Sequence, residues 1–364
     1  ALPADFTVTF AAAKRGQFVF PAADAIGALS VADIGIPDAL PELASVKLEL
    51  ATPEMVRTLL PARPRDAHKG TFGRVIVAAG SVNFTGAAYL AGAAAYRIGA
   101  GLVTLAVPVP IYPILAAQLP EATWIMLPHK MGVIAGGAAE VLLKELDKAQ
   151  ALLVGPGFGM EKETGLFLRR LLQVGESSSK GPIGFVSRAA ERMEQAPGAA
   201  PLPPVVADAD GLKLLAQIEN WPKRLPRNAV LTPHPGEMAT LADMEKDAIQ
   251  SDRIGAAQKW AAEWGHVVVL KGAFTVVAAP DDRATVQPFA TAALARAGTG
   301  DVLAGAIAGL LAQGLAPYEA AVAGAYLHGL AGELAAATLG TTASVLASDV
   351  LDGLALALEA VGSR

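Results

Sequence analysis

Ala297-Gly298-Thr299-Gly300-Asp301 runs directly into VLAGAIAGLLAQGL, residues 302–315, with no proline before Pro317. The run is apolar on every side, which predicts a helix buried all round. Gly298, Thr299 and Gly300 stand at its start, where unpaired backbone amides and the helix dipole favour an anion and small residues let a phosphate approach closely. Asp301 falls in the first turn. There the dipole is expected to keep it ionised, able to accept a proton from a hydroxyl. The competing reading is an acidic cap on an ordinary core helix; the glycines on both sides of Thr299 favour the phosphate loop.

A helix buried on every side needs a sheet beneath it and further helices around it. Short apolar runs at 75–79, 102–107, 151–154, 183–186, 205–207, 229–231, 267–270 and 275–279 alternate with glycine or aspartate turns and alanine-rich stretches. Strands that are apolar on both faces belong to parallel sheets covered on both sides. The expected fold is therefore α/β, with a mostly parallel central sheet and helices on both faces. Polar or Pro/Ala-rich loops are expected at 176–181 and 194–204.

Composition limits the function classes. Hydrophobic residues make up 53% of the 364 and charged residues 17%, which excludes a disordered chain. The net charge is −5 and no basic run occurs, so neither nucleic acid nor a membrane surface is an expected partner. Without cysteine there is no disulfide, thiolate chemistry or cysteine-held zinc, and a cytoplasmic location is expected. Residues 98–117 carry no charge, but Pro108, Pro110 and Pro113 resolve them into a strand at 101–107, a turn and a new helix. No signal peptide is evident, and Ala1 reads as the start of a processed or truncated chain.

Five further segments carry chemistry. His266 to Val277 is a strand ending in Lys271-Gly272, a turn and a return strand; Lys271 would bring a positive charge to nucleotide phosphates, or would be a surface lysine on a plain hairpin. In Leu231-Thr232-Pro233-His234-Pro235-Gly236-Glu237, two prolines hold His234 just beyond a strand. Gly155-Pro156-Gly157-Phe158-Gly159 is a glycine turn after a strand. His68-Lys69-Gly70-Thr71-Phe72-Gly73 precedes a strand, and Thr85-Gly86-Ala87-Ala88 opens a small-residue helix after it. Asp208 and Asp210, on one side of an extended segment, would hold hydrated Mg²⁺ or be ordinary loop acids.

In this order, HKGTFG, AGS…TGAA, GPGFG, DAD, LTPHPGE, LKGAFT and AGTGD resemble the carbohydrate-kinase-like family of NAD(P)H-hydrate dehydratases, in the ribokinase superfamily. The resemblance runs from about Leu48 to the C-terminus. It departs at Ala297, where the family often has glycine, and at Ala290-Thr291, where it often has Gly-Asn. The resemblance implies a ribokinase-like fold and a hydro-lyase that restores NADH or NADPH from the S epimer of its hydrate by phosphorylation and phosphate elimination, using ADP, or less commonly ATP, with Mg²⁺. It implies that Ala87, Gly157, His234 and Asp301 contact the hydrated cofactor, with Asp301 as the catalytic base. Lys271, Gly272, Ala273, Phe274, Thr275 and Gly300 would hold the nucleotide. A homo-oligomer is expected. Two rivals remain open: a small-molecule kinase acting on a vitamin alcohol, and a non-catalytic assembly protein of the same fold.

Residues 1–47 form a separate piece with strand-like runs at 6–10 and 29–36. They resemble the end of an NAD(P)H-hydrate epimerase domain, often fused ahead of the dehydratase. Domains are accordingly expected at 1–47 and 48–364. The epimerase catalytic and potassium-binding residues would lie upstream, and the chain is expected to be one fragment of a bifunctional polypeptide whose missing half stays bound.

Overall fold

Successive side chains of the strand Arg74–Ala78 enter two different cores. Val75 and Val77 join a cluster on one face of the sheet; Ile76 and Ala78 join a cluster on the other. All four are fully buried. This is why the strand is apolar without alternation, and it places helices on both faces.

The computed structural model describes residues 2–37, 40–173 and 202–362. Among them a ten-stranded sheet runs in the spatial order Leu48–Leu50, Ala284–Val286, Val276–Ala278, Val267–Leu270, Val230–Leu231, Val205–Ala207, Ala151–Val154, Arg74–Ala78, Leu102–Pro108, Thr123–Leu127. Only Val276–Ala278 pairs antiparallel to its neighbours. The α/β class read from the sequence is the observed one. The expected strand at 183–186, the loop at 176–181 and residues 194–201 of the second loop lie outside the described residues.

Three strands of this sheet were not anticipated. Leu48–Leu50 and Ala284–Val286 are three residues each and are polar at one position, and Thr123–Leu127 is exposed at Thr123 and Met126. Such short, broken runs lack the apolar signature of central strands; pairing at and near the sheet edges makes them strands. The uncharged run 98–117 divides as expected into Leu102–Pro108, a short 3₁₀ turn and the helix Tyr112–Gln118. No helix among the described residues is long and apolar enough to cross a membrane.

The order of strands reverses between Arg74–Ala78 and Ala151–Val154: the chain builds outward from the first to one edge, then returns to build from the second to the other. Loops that leave two such strands diverge and open a crevice at their C-terminal ends. Gly80 and the 155–159 turn meet there, with the Gly80 amide donating to the Pro156 carbonyl at 2.8 Å.

Helix Thr299–Ala312 is buried from Val302 through Ala312 and packs against the helix Thr85–Arg97. The approach is close because glycines face it. A Cβ on Gly305 would lie 2.1 Å from the Ala91 carbonyl oxygen, and one on Gly309 2.9 Å from that of Ala95. Both pairs step by four residues in the same direction, so the helices run parallel in register. Gly305→Ala is therefore expected to push the helices apart and to destabilise the fold by roughly 1–3 kcal/mol. Urea unfolding measures it, and unchanged stability would contradict this packing.

The N-terminal segment is organised separately. Phe6–Phe10 and Ala28–Ala32 pair in parallel as a two-stranded sheet of their own. The second strand stops short of the expected 29–36 because Asp33 caps a turn, its carboxylate accepting from the Gly35 amide at 2.8 Å, and Gly35 has a φ of +76°.

Candidate active site

The start of helix Thr299–Ala312 has the geometry of an anion site. Gly298 adopts φ +91°, and a Cβ there would lie 2.7 Å from a Leu90 methyl, so only glycine fits. The first intrahelical bond runs from Val302 N–H to the Gly298 carbonyl at 3.2 Å, which leaves the Gly300 and Asp301 amides ahead of the hydrogen-bonded ladder. The Thr299 hydroxyl donates back to the Leu294 and Arg296 carbonyls, both at 2.9 Å. His328, buried on the helix Pro317–Leu339, donates from Nε2 to the Thr299 carbonyl at 2.8 Å. Burial pushes its pKa down to about 4, with Lys271 adding in the same direction, so the ring is a neutral brace.

Asp301 departs from the sequence expectation. Burial, and after it the neighbouring Asp208, push its pKa up to about 7, against the pull of Lys271. The helix dipole does not keep it firmly ionised, because desolvation of a carboxylate outweighs half a unit of positive charge at a helix end. The result is a carboxyl balanced between protonated and ionised forms near neutrality, suited to accepting and returning a proton.

Lys271 leaves the end of Val267–Leu270 and is only 17% exposed. Its Nζ lies 2.7 Å from Asp208 Oδ1 and 3.7 Å from Glu237 Oε2. Burial alone would lower its pKa; the two carboxyls outweigh burial and raise it. Asp208 also accepts from the Thr232 hydroxyl at 2.7 Å. A Cβ on Gly300 would lie 3.3 Å from Lys271 Nζ, so the ammonium sits directly beside the phosphate-type loop.

His234 caps the helix Pro235–Ala242. Its Nδ1 accepts from the Gly236 and Glu237 amides at 3.0 and 3.2 Å, while Glu237 Oε2 accepts from the His234 amide at 2.9 Å. The proton is thereby placed on Nε2, 3.4 Å from Glu237 Oε1. Burial lowers the pKa of this histidine, with Glu237 opposing and Lys271 adding to the shift.

One cavity of about 520 Å³ brings much of this together. His234, Lys271, Gly272, Ala273 and Thr275 form one side; Gly300 and Asp301 form the other, with His328 behind. Three of the anticipated residues lie elsewhere. The Phe274 ring packs away from the cavity against Phe18 and Phe20. Gly157 and Ala87 meet each other at the crevice where the strand order reverses: a Cβ on Gly157 would lie 2.8 Å from that of Ala87.

The pairing of Asp208 with Asp210 is not as read. Ala209 has φ +52°, so the segment is not extended there. Asp208 turns to Lys271, whereas Asp210 accepts from Lys213 and from the Gly159 amide, each at 3.0 Å. No group of three or more potential metal ligands occurs among the described residues.

The sequence reading assigned no role to Glu237 or His328. Glu237 stands three residues after His234, the spacing of a reciprocal cap, and that signal was available. His328 lies in the otherwise uncharged run 320–332, where a lone imidazole must find a partner; nothing local says that the partner is Thr299.

A mostly parallel sheet that presents a helix N-terminus at its C-terminal edge places this chain in the ribokinase-like α/β class of folds. A family model described as NAD(P)H-hydrate dehydratase matches residues 75–178 and 192–355. The chain is 36% identical over 293 residues to the ADP-dependent (S)-NAD(P)H-hydrate dehydratase of Neisseria meningitidis, covering 86% of that relative and 79% of itself. It is 41% identical over 354 residues to the bifunctional NAD(P)H-hydrate repair enzyme Nnr of Moorella thermoacetica, covering 97% of itself but only 62% of that relative's length. The crystal structure of the ADP/ATP-dependent NAD(P)H-hydrate dehydratase from Bacillus subtilis, co-crystallised with ATP/Mg²⁺, superposes with a TM-score of 0.70 at 30% identity, over 87% of this chain and all of that one. This chain belongs to the NAD(P)H-hydrate dehydratase family.

Proposed function

We propose that this chain dehydrates the S epimer of NADH or NADPH hydrate in a nucleotide-driven hydro-lyase reaction, with Asp301 as the base. The observation that carries this is a carboxyl balanced near neutrality beside the free amides of a helix N-terminus. Asp301 accepts the proton of the hydrate hydroxyl as the hydroxyl oxygen attacks the terminal phosphorus of ADP or ATP, and the bond from that phosphorus to the bridging oxygen breaks to release AMP or ADP. The Gly300 and Asp301 amides face the charge that spreads over the transferring phosphoryl oxygens. The phosphate ester then leaves as the ring nitrogen donates its electron pair. Loss of a proton from the adjacent ring carbon restores the dihydronicotinamide.

Lys271 keeps the electrostatics of the loop from being wholly acidic. Held by Asp208 and Glu237 beside Gly300, it offsets their charge where phosphates would lie. Mg²⁺ fits this site only as a companion of the nucleotide: the carboxyls are engaged with Lys271, Lys213 and backbone amides, and a hydrated ion that takes most of its ligands from phosphates needs one carboxyl or two. We assign Ala87 and Gly157 to the hydrated cofactor at the strand-reversal crevice, and Lys271, Gly272, Ala273 and Thr275 with Gly300 to the nucleotide, while Phe274 faces away from it.

The reading extends to the rest of the polypeptide. The Moorella relative is half as long again and bifunctional, so residues 1–47 are assigned to the end of an epimerase-like domain and the dehydratase domain to 48–364. A cytoplasmic homo-oligomer completes the proposal. The test is to supply NADH hydrate with ADP and separately with ATP, following absorbance of reduced nicotinamide and free phosphate. Equal release of both is expected. Accumulation of a phosphorylated product without NADH would instead identify a kinase, and nucleotide binding without turnover an assembly protein.

A further inference from the structure

The loop that carries residues 271–275 is built partly against the far end of the chain. Phe274 adopts φ +53°, a left-handed conformation that bulky side chains rarely take. Its ring meets Phe18 edge-on at 5.3 Å between centroids and Phe20 at 5.8 Å with a 31° tilt. Arg253 supports the loop from its other side, donating to the Leu270 and Lys271 carbonyls at 2.9 and 3.2 Å. A second cavity, about 370 Å³, opens beside this aromatic group. It shares His234, Pro235, Gly272 and Ala273 with the Asp301 cavity and continues outward to Phe20, Gln250 and Lys246. One groove therefore leads from the phosphate-type loop to Phe20. Residues 15–20 lie outside the part of the chain that matches the family model.

The outer end has the chemistry of a base-binding site. Phe20 remains 49% exposed beside the cavity although it touches Phe274. Gln250 Oε1 accepts from Arg253 at 2.9 Å, which fixes the amide and leaves its NH₂ to donate to a ring nitrogen. An aromatic face, a fixed amide and a neighbouring cation, joined by a groove to a phosphate-type loop, suit an adenylate: the base stacks while the phosphates point inward.

We propose that Phe20 stacks on an adenine ring at the outer end of this groove, so that the N-terminal segment completes an adenylate subsite of the family domain. This rests on the dehydratase reading, since both the nucleotide donor and the hydrated dinucleotide carry adenosine. Phe18 buttresses Phe274 and thereby the loop; Phe20 touches the base.

Calorimetric titration of the full chain with AMP, with NADH and with inorganic pyrophosphate tests it, using Phe20→Ala and Phe20→Trp. Phe20 is half-exposed, so neither variant threatens the fold. Phe20→Ala is expected to weaken AMP or NADH by roughly 3- to 10-fold, and Phe20→Trp to retain wild-type affinity. Loss on AMP assigns the base to the nucleotide donor; loss on NADH assigns it to the dinucleotide. Pyrophosphate, which has no base, is expected to bind all three proteins alike. Unchanged affinity for both AMP and NADH, or a parallel fall in pyrophosphate binding, overturns the proposal. All three titrations are made without turnover, so a failure of the dehydratase reading shows in the absorbance assay and not here.

Discussion

Asp301→Asn is expected to lower turnover by about 10²- to 10⁴-fold, the usual contribution of a positioned base, while nucleotide still binds. It is also expected to make the protein more stable at neutral pH. With a folded pKa of about 7 against 3.8 for the ordinary group, the unfolded chain gives up this proton first as the pH rises. The folded state is therefore progressively disfavoured between about pH 4 and 7, and the penalty is complete above that. Its ceiling is about 4 kcal/mol at 1.36 kcal/mol per pH unit. Asparagine, which cannot ionise, removes the penalty. Urea unfolding of both proteins at pH 4 and pH 8 measures this: the variant's advantage should appear at pH 8 and vanish at pH 4. In the wild type, kcat/KM should rise with pH through about 7, as a base with that pKa ionises. A pH profile flat from 5 to 8, or near-normal turnover of Asp301→Asn, would remove Asp301 from the base role.

Lys271→Ala is expected to damage the fold as well as the nucleotide site. Its ammonium is the cation between the buried Asp208 and Glu237, and removing one partner of a buried ionic group typically costs about 3–5 kcal/mol. Nucleotide affinity should fall at the same time, because a positive charge beside Gly300 is lost. Asp301 should become harder to ionise, since Lys271 is the neighbour that lowers its pKa. The pH profile of residual activity is therefore expected to move to higher pH. Lys271→Ala combined with Asp208→Asn separates the effects: the double variant should regain part of the stability, because one uncompensated carboxyl is gone, but not the affinity. If the single variant is as stable as wild type, the lysine does not hold the network together.

These two residues also show how far local pattern reaches. Asp301 after Gly298-Thr299-Gly300 is legible because its role depends on local geometry: the dipole, free amides and small side chains of a helix start are set within one turn. Its protonation is not legible. That depends on Asp208, 93 positions earlier and brought close by a neighbouring strand, and on how much water the packed helices exclude. Lys271 at a strand end is likewise visible as a cation near a turn, but its partners come from elsewhere in the chain, Asp208 from the turn before helix Asp210–Leu215 and Glu237 from the first turn of helix Pro235–Ala242. The extended geometry expected for Asp208 and Asp210 failed at Ala209, where a single positive φ sends the two carboxyls to different lysines.

By itself the sequence determined the fold class and the central, doubly covered strands of the sheet, though not its short strands at and near the edges. Apolar runs such as 75–79 and 151–154 exceed what a one-sided sheet tolerates, and buried glycines such as Gly305 admit close helix packing. It also determined the glycine turns after a strand and before a helix, since positive φ at Gly155 and Gly157 in the first and at Gly298 in the second is a local demand. Only the tertiary structure decided what surrounds those turns. It joined His234, Lys271 and Asp301 around one cavity, set Ala87 against Gly157 in the crevice beside it, placed His328 behind Thr299, and turned Phe274 outward onto Phe18 and Phe20. The reason is that pKa values, ion-pair partners and cavity walls are set by groups close in space, and in a parallel sheet those groups come from loops separated along the chain by whole helices.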